Sequence, residues 1–247
     1  MRSVGRSPSS SFGRALGVAL TIGSLGVVAS ATNAACIPDP EGDYKDFRER
    51  TANLGGNEPE PTVDASFDSK PPETAVEALY VGICVTSLAA RDPAQALRFY
   101  AETKYTPDEG SPSTGKLSMS LTPMVGWDVA GNRYIEPASV SKSETRGDTK
   151  VVEAIPVTGG GRFTAELGTV TLAKEANSIS GRDAVINPTT LDGLFGAGDR
   201  FCSTLGGLLT VPYSFTFDPK QNTCIFVKAK EGDPLPKLES AEFVCAF

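Results

Sequence analysis

Histidine is missing altogether from this 247-residue chain. That absence removes the Ser-His-Asp and Cys-His nucleophiles, and with them every His-bearing zinc or non-haem iron site. Any catalysis would fall to carboxylates, Tyr, Lys, Ser or Cys. No C-x-x-C spacing occurs either, so neither a thioredoxin-type redox motif nor a zinc ribbon is indicated. Basic residues are scarce, with 23 Lys and Arg against 30 Asp and Glu. Arg2, Arg6 and Arg14 fall in the first 35 residues, which hold no acid, so the remainder is more acidic than the overall −7. An acidic surface disfavours binding to a phosphate backbone or adsorption to anionic lipid, and no nucleic-acid partner is expected. Long helical periodicity is lacking too: after Asn53 no stretch keeps a 3.6-residue apolar repeat.

What is present starts with an export signal over residues 1–35. Its three Arg form a positive n-region, Ala15 to Ala29 an apolar h-region, and small residues lead to Ala35. Ala29-Ser30-Ala31 is an A-x-A cleavage site. Asn33-Ala34-Ala35-Cys36 resembles the lipobox of bacterial lipoproteins, with Asn33 where an aliphatic is usual. Cysteine parity favours acylation of Cys36, because setting it aside leaves the even set Cys84, Cys202, Cys224 and Cys245. The expected location is therefore the periplasm, outer membrane or exterior, with membrane contact only through a lipid anchor at Cys36. Residues 36–75 are expected to be a flexible acidic, Pro-rich arm, with a short helix around Tyr44 and Phe47.

From residue 76 to 247 the text is that of strands. Ala78–Leu88 is β-rich throughout, Ala94–Tyr105 alternates, and in Gly115–Met124 Leu117, Met119 and Leu121 alternate with Ser118, Ser120 and Thr122. Thr149–Val157 follows, then the clearest stretch of the chain, Gly159 to Ile186. There Phe163, Ala165 and Leu167 lie on one face, and the apolar positions resume out of phase at Val170 and Leu172. A β-bulge at Gly168 would absorb the extra residue. Residues 187–200 are Gly-rich and read as irregular; Gly206–Phe217, Thr223–Lys230 and Glu242–Phe247 read as three closing strands. The expected fold is all-β: a single antiparallel meander forming a β-barrel or β-sandwich, with the polar face of each strand in water.

In an exported protein the four remaining cysteines are expected to pair. Three pairings exist; a hairpin between the last two strands favours Cys224 with Cys245, leaving Cys84 with Cys202. Cys84, set in an apolar run, would otherwise be a buried thiol. Gly110–Lys116 spells G-x-x-x-x-G-K, but Leu117 stands where the magnesium-binding hydroxyl belongs and an alternating strand follows, so a turn is the better reading. Ser113–Lys116 and Ser139–Lys142 both spell S-x-x-K without the helix that motif needs. Asp39, Glu41 and Asp43 begin like a calcium loop, but position 50 is Arg. Trp127 is the lone Trp and the one candidate for stacking on a ligand; its plainer role is a hydrophobic cap at a sheet edge.

The text F-T-A-E-L-G-T-V-T-L followed by N-S-I-S-G, sharp over residues 162–181, resembles bacterial secreted or lipoprotein β-domains, which bring no assigned activity with them. The meander is also similar in length to lipocalin-type barrels, a likeness of topology alone. The expectation is a non-enzymatic envelope protein without a cofactor or metal. It would bind a small apolar or amphipathic ligand, or an envelope protein partner. A structural or adhesive module displaying loops 126–148 and 187–200, and a hydrolase using two carboxylates about 5–9 Å apart, are the alternatives.

Overall fold

The structure, a computed structural model, describes residues 69–245. The expected export signal, the expected arm as far as residue 68, and Cys36 lie outside the described residues. The strands are β1 (Val76–Val85), β2 (Leu97–Asp108), β3 (Ser111–Pro123), β4 (Trp127–Asp128), β5 (Arg133–Tyr134), β6 (Lys150–Val157), β7 (Arg162–Leu172), β8 (Ala184–Leu194), β9 (Arg200–Val211), β10 (Phe215–Phe217) and β11 (Thr223–Ala229). Eight of them close an antiparallel barrel in the order β1-β2-β3-β6-β7-β8-β9-β11, with β11 returning to β1. Each strand thus pairs with its predecessor in the chain, the meander expected from the alternation, and closure leaves a barrel rather than a sandwich. β10 pairs with β9 beyond the end of β11, and β4 with β5 forms a separate two-stranded ribbon.

Gly168 has a φ of +62° and sits at shifts in the β7–β8 register. Leu167 and Val170 both face inward while Gly168 and Thr169 are exposed, so the out-of-phase apolar positions end on one side of the wall. A second phase change occurs in β6. Leu117 pairs with Ile155 but Met119 with Val152, so β6 carries an extra residue, and Ala154 there adopts a φ of +54°.

Three sequence readings are corrected. Residues 187–200 are not irregular as a block: most belong to β8, where Leu191 points inward and Gly193 lets the ring of Phe163 lie against the backbone. Alternation is hard to see there because a register shift after Ile186, at Asn187-Pro188, breaks the period. Gly206–Phe217 is the end of β9 and the short β10, separated at Pro212. Glu242 and its neighbours are not a strand; Ser240–Glu242 is one 3-10 turn with a capping box between Glu239 and Glu242.

The cysteine pairing differs as well. Cys84 bonds to Cys224, directly opposite it across β1 and β11, and Cys202 bonds to Cys245. The first pair faces into the barrel. The second is outside, because Cys202 alternates with the inward Phe201. With no terminal strand to carry Cys245, the C-terminal segment instead lies over the outer wall.

That segment changes the outer face from what alternation alone suggests. Val81, Ile83, Val85 and Ile225 point outward yet are buried, under Val140, Leu238 and Phe243. Burying each such side chain contributes about 1.5–3 kcal/mol. Loop and segment are joined by paired backbone bonds, Val140 N–H to Asp233 O at 2.9 Å and Gly232 N–H to Val140 O at 2.7 Å. The polar face of the meander is therefore not uniformly solvated; over β1, β2, β9 and β11 it is the floor of a second core.

Inside, aromatics fill one end. Phe201 stacks on Phe226 with ring centres 4.3 Å apart and meets Tyr80 and Phe195 edge-on at 4.9 and 5.3 Å. Gly82 makes this possible, since a Cβ there would lie 2.7 Å from the Phe226 ring.

Candidate functional site

At the other end the interior is not filled. A cavity of about 210 Å³ lies among Leu97, Leu121, Leu167, Ile186, Leu191 and Leu205, with Phe226 and Cys84 also on its wall. These are the leucine-rich inward positions of the alternating strands, so the side chains that the pattern directs inward are too small to meet across the barrel. Along the barrel axis this end is covered: Leu88 of the 3-10 turn Ser87–Ala89, Ile179 and Phe215 all pack on the interior cluster.

The opening is in the side wall, between β6 and β7. Neighbouring strands elsewhere pair along much of their length, whereas β6 and β7 form a single pair, Val157 with Phe163, next to their turn. Beyond it the extra residue at Ala154 on β6 and the bulge at Gly168 on β7 turn the strands apart. The cavity's rim is accordingly polar: Asp148, Thr149 and Lys150 on one side, Thr169 and Thr171 on the other.

Lys150 stands out on this rim. It pairs across β3 with Leu121, an inward residue, so its side chain leaves the backbone on the interior face. Half-buried, its Nζ extends across the slot to within 4.0 Å of the point where a side chain on Gly168 would begin. Nζ has no salt-bridge partner among the described residues. Asp148 is the only acid on the lining among the described residues, so the cavity holds no carboxylate pair for glycoside chemistry.

A second polar assembly lies outside the wall and fastens loop 126–148. Arg98, 7% exposed on the outer face of β2, donates to Ala96 O at 3.1 Å and to Glu136 at 2.9 Å, beneath the ring of Tyr134. Burial pushes the Tyr134 phenol up to about 12, against the opposing pull of the Arg98 charge. Tyr100 donates to Glu231 at 2.8 Å, and the other Glu231 oxygen accepts from Ser141 Oγ at 2.8 Å and from Lys142 N–H at 3.1 Å. Burial and the Glu231 hydrogen bond raise the Tyr100 phenol; the Tyr100 and Ser141 hydrogen bonds in turn hold Glu231 below the usual carboxylate range. Every partner is a strand or loop of the protein itself, which makes this a fastening of the loop.

The residues singled out in the sequence are dispersed. Trp127, half-buried in β4, packs against Gly181 and is not on the cavity wall. Ser141 of the second S-x-x-K text caps the 3-10 turn Lys142–Glu144. Gly110–Lys116 is the tip and first residues of the β2–β3 hairpin. Cys84 and Cys224 are on the cavity wall or beside it, whereas Cys202 and Cys245 are outside. Among the described residues no group of three or more His, Cys, Asp or Glu could hold a metal ion. Lys150 escaped notice in the sequence, although a signal exists: carrying the inward phase back from Val157 and Ile155 through a one-residue slip lands on Val152 and then Lys150. Comparison with protein-family models, curated proteins and solved structures finds no match to this chain.

Proposed function

We propose that the protein is a non-enzymatic binder of a small apolar or amphipathic ligand, held inside the barrel through the β6–β7 slot. The observation that supports this best is the conjunction of an apolar interior void with a side opening that two separate backbone irregularities create. Enclosed apolar cavities of roughly 150 Å³ take up a ligand the size of benzene, and the void here is somewhat larger. A short chain or a single ring is the scale of group it would hold. The two disulfides favour an oxidising environment, in keeping with an exported protein. Attachment to a membrane through Cys36 is part of the same proposal, and Cys36→Ser should then move the protein from the membrane to the soluble fraction.

Isothermal titration with the single-ring probe toluene tests the binding. Wild type should give a saturable heat, and Leu205→Trp, which fills the void, should lose it while keeping the wild-type circular dichroism spectrum. Absence of saturation in wild type, or equal binding by folded Leu205→Trp, would remove the cavity as the site.

A further inference from the structure

We infer that the ligand carries a negatively charged head, of the carboxylate class, seated on Lys150, with its short apolar tail in the cavity. This rests on the cavity-binding reading above and names the chemistry the site selects.

The argument begins with the wall. Every second residue of a barrel strand faces the interior, and the inward members of β6 are Val157, Ile155 and Val152, followed by Lys150. A lysine in that series breaks the pattern of the core. Its aliphatic stem can lie along apolar neighbours, but the ammonium needs water or an anion. Lys104 has an anionic partner in Glu77 at 2.7 Å and Lys142 one in Glu102 at 2.8 Å, whereas Lys116, on β3 opposite β6, has no salt bridge among the described residues but is exposed to water. Lys150 has none among the described residues, although Asp148 sits on the same rim. The charge is therefore placed at the junction of slot and void, where one face meets solvent and the other meets leucines.

The surroundings fit one head group on that ammonium. Thr169 and Thr171, exposed on the facing strand, keep that side of the rim polar and free of charge. A carboxylate accepts from the ammonium, whereas a protonated amine would meet Lys150 with like charge. Asp148, exposed on the same rim, adds a negative charge there, which favours a singly charged head over a polyanion. The tail then follows the direction of the slot toward Leu121, Leu167 and Leu205. The bulge at Gly168 borders this charge: the position a Cβ would take there lies 4.0 Å from Nζ, at ordinary van der Waals contact.

Isothermal titration with octanoate, 1-octanol and octylammonium tests it, on wild type, Lys150→Met and Lys150→Arg. These share a tail and differ in the head. Wild type should bind octanoate at least about tenfold more tightly than 1-octanol, the scale of one charge-assisted hydrogen bond, and octylammonium most weakly. In Lys150→Met octanoate and 1-octanol should bind alike, and in Lys150→Arg the preference for octanoate should return. If wild type binds octanoate and 1-octanol equally, or if Lys150→Met keeps the preference, the head-group assignment is wrong and the cavity reading stands. If none of the three ligands binds wild type, the cavity reading itself falls and takes the assignment with it.

Discussion

The two ends of the barrel interior obey the same alternation and reach opposite results. At one end Tyr80, Tyr105, Phe163, Phe195 and Phe201 meet in edge-on and tilted contacts. At the other, Leu97, Leu121, Leu191 and Leu205 occupy equivalent inward positions and enclose a void. Phe226 is the floor between them, stacked on Phe201 on one side and exposed to the cavity on the other. Side-chain volume, with the same period and polarity, is what separates a plug from a pocket. Aromatics at the filled end supply stability by contact, and leucines at the open end give up some of that contact to leave a volume free.

Truncation at the filled end should break this contrast most severely. Phe201→Ala removes the ring on which Phe163, Phe195, Tyr80 and Phe226 all pack, and is expected to cost about 3–5 kcal/mol in urea unfolding. Enlargement should then distinguish the ends. Val157→Phe, at the filled end, is expected to destabilise by about 1–3 kcal/mol, whereas Leu121→Phe grows into existing space and should cost under about 1 kcal/mol while abolishing probe uptake. A thermal melt that ranks the two substitutions the other way would contradict the packing difference. Gly168→Val addresses the slot between them: a β-branched residue at φ +62° is expected to cost about 1–3 kcal/mol, seen as a lower denaturation midpoint.

The smallest effect is expected away from both ends, at the outer fastening. Glu231 has its pKa depressed, chiefly by the Tyr100 hydrogen bond. A depressed carboxylate contributes stability that is present above its unfolded pKa and is lost as pH falls through the folded value. Wild type should therefore be slightly more stable than Glu231→Gln at neutral pH, with the gap closing as pH drops below about 4, near and under the ordinary Glu value. Thermal midpoints measured for both proteins from pH 7 to pH 3 would show the convergence, and a gap that widened in acid would assign the wrong sign to the interaction.

Much of the wall was legible before any coordinates, because alternation records which side of a strand faces the core. Phe163 through Leu172 show it most clearly: the phase slip alone located the bulge at Gly168. What alternation cannot record is how far a facing side chain lies across the barrel, so Leu205 and Phe201 read alike although one borders a void and the other a stack. Nor does it say what covers the outer face. Val81 and Ile83 lie in a run apolar on both sides, which signals two buried faces, but the cover came from a segment, Leu238 to Cys245, that has no periodicity of its own. The cysteine pairing failed for that reason. Cys224 and Cys245 are close in sequence, yet Cys224 faces inward opposite Cys84, and Cys245 lies on the outer side with Cys202. Lys150 was hidden by a slip at Ala154 in a strand too short to display its phase on both sides.

The closure of the barrel between β1 and β11 also sets an order of events. Leu79 pairs with Ala229 and Val85 with Thr223, contacts that span most of the folded chain. During synthesis, β1 has β2 on one side and nothing on the other until the final strand emerges. Contacts of such long sequence separation make folding slow, and an unpaired strand edge is a template for association with other chains. The Cys84 thiol travels on that edge throughout. Its partner arrives only with β11, so a nascent chain stalled before residue 224 would present both a free strand edge and a free cysteine to whatever chaperone or oxidase it meets.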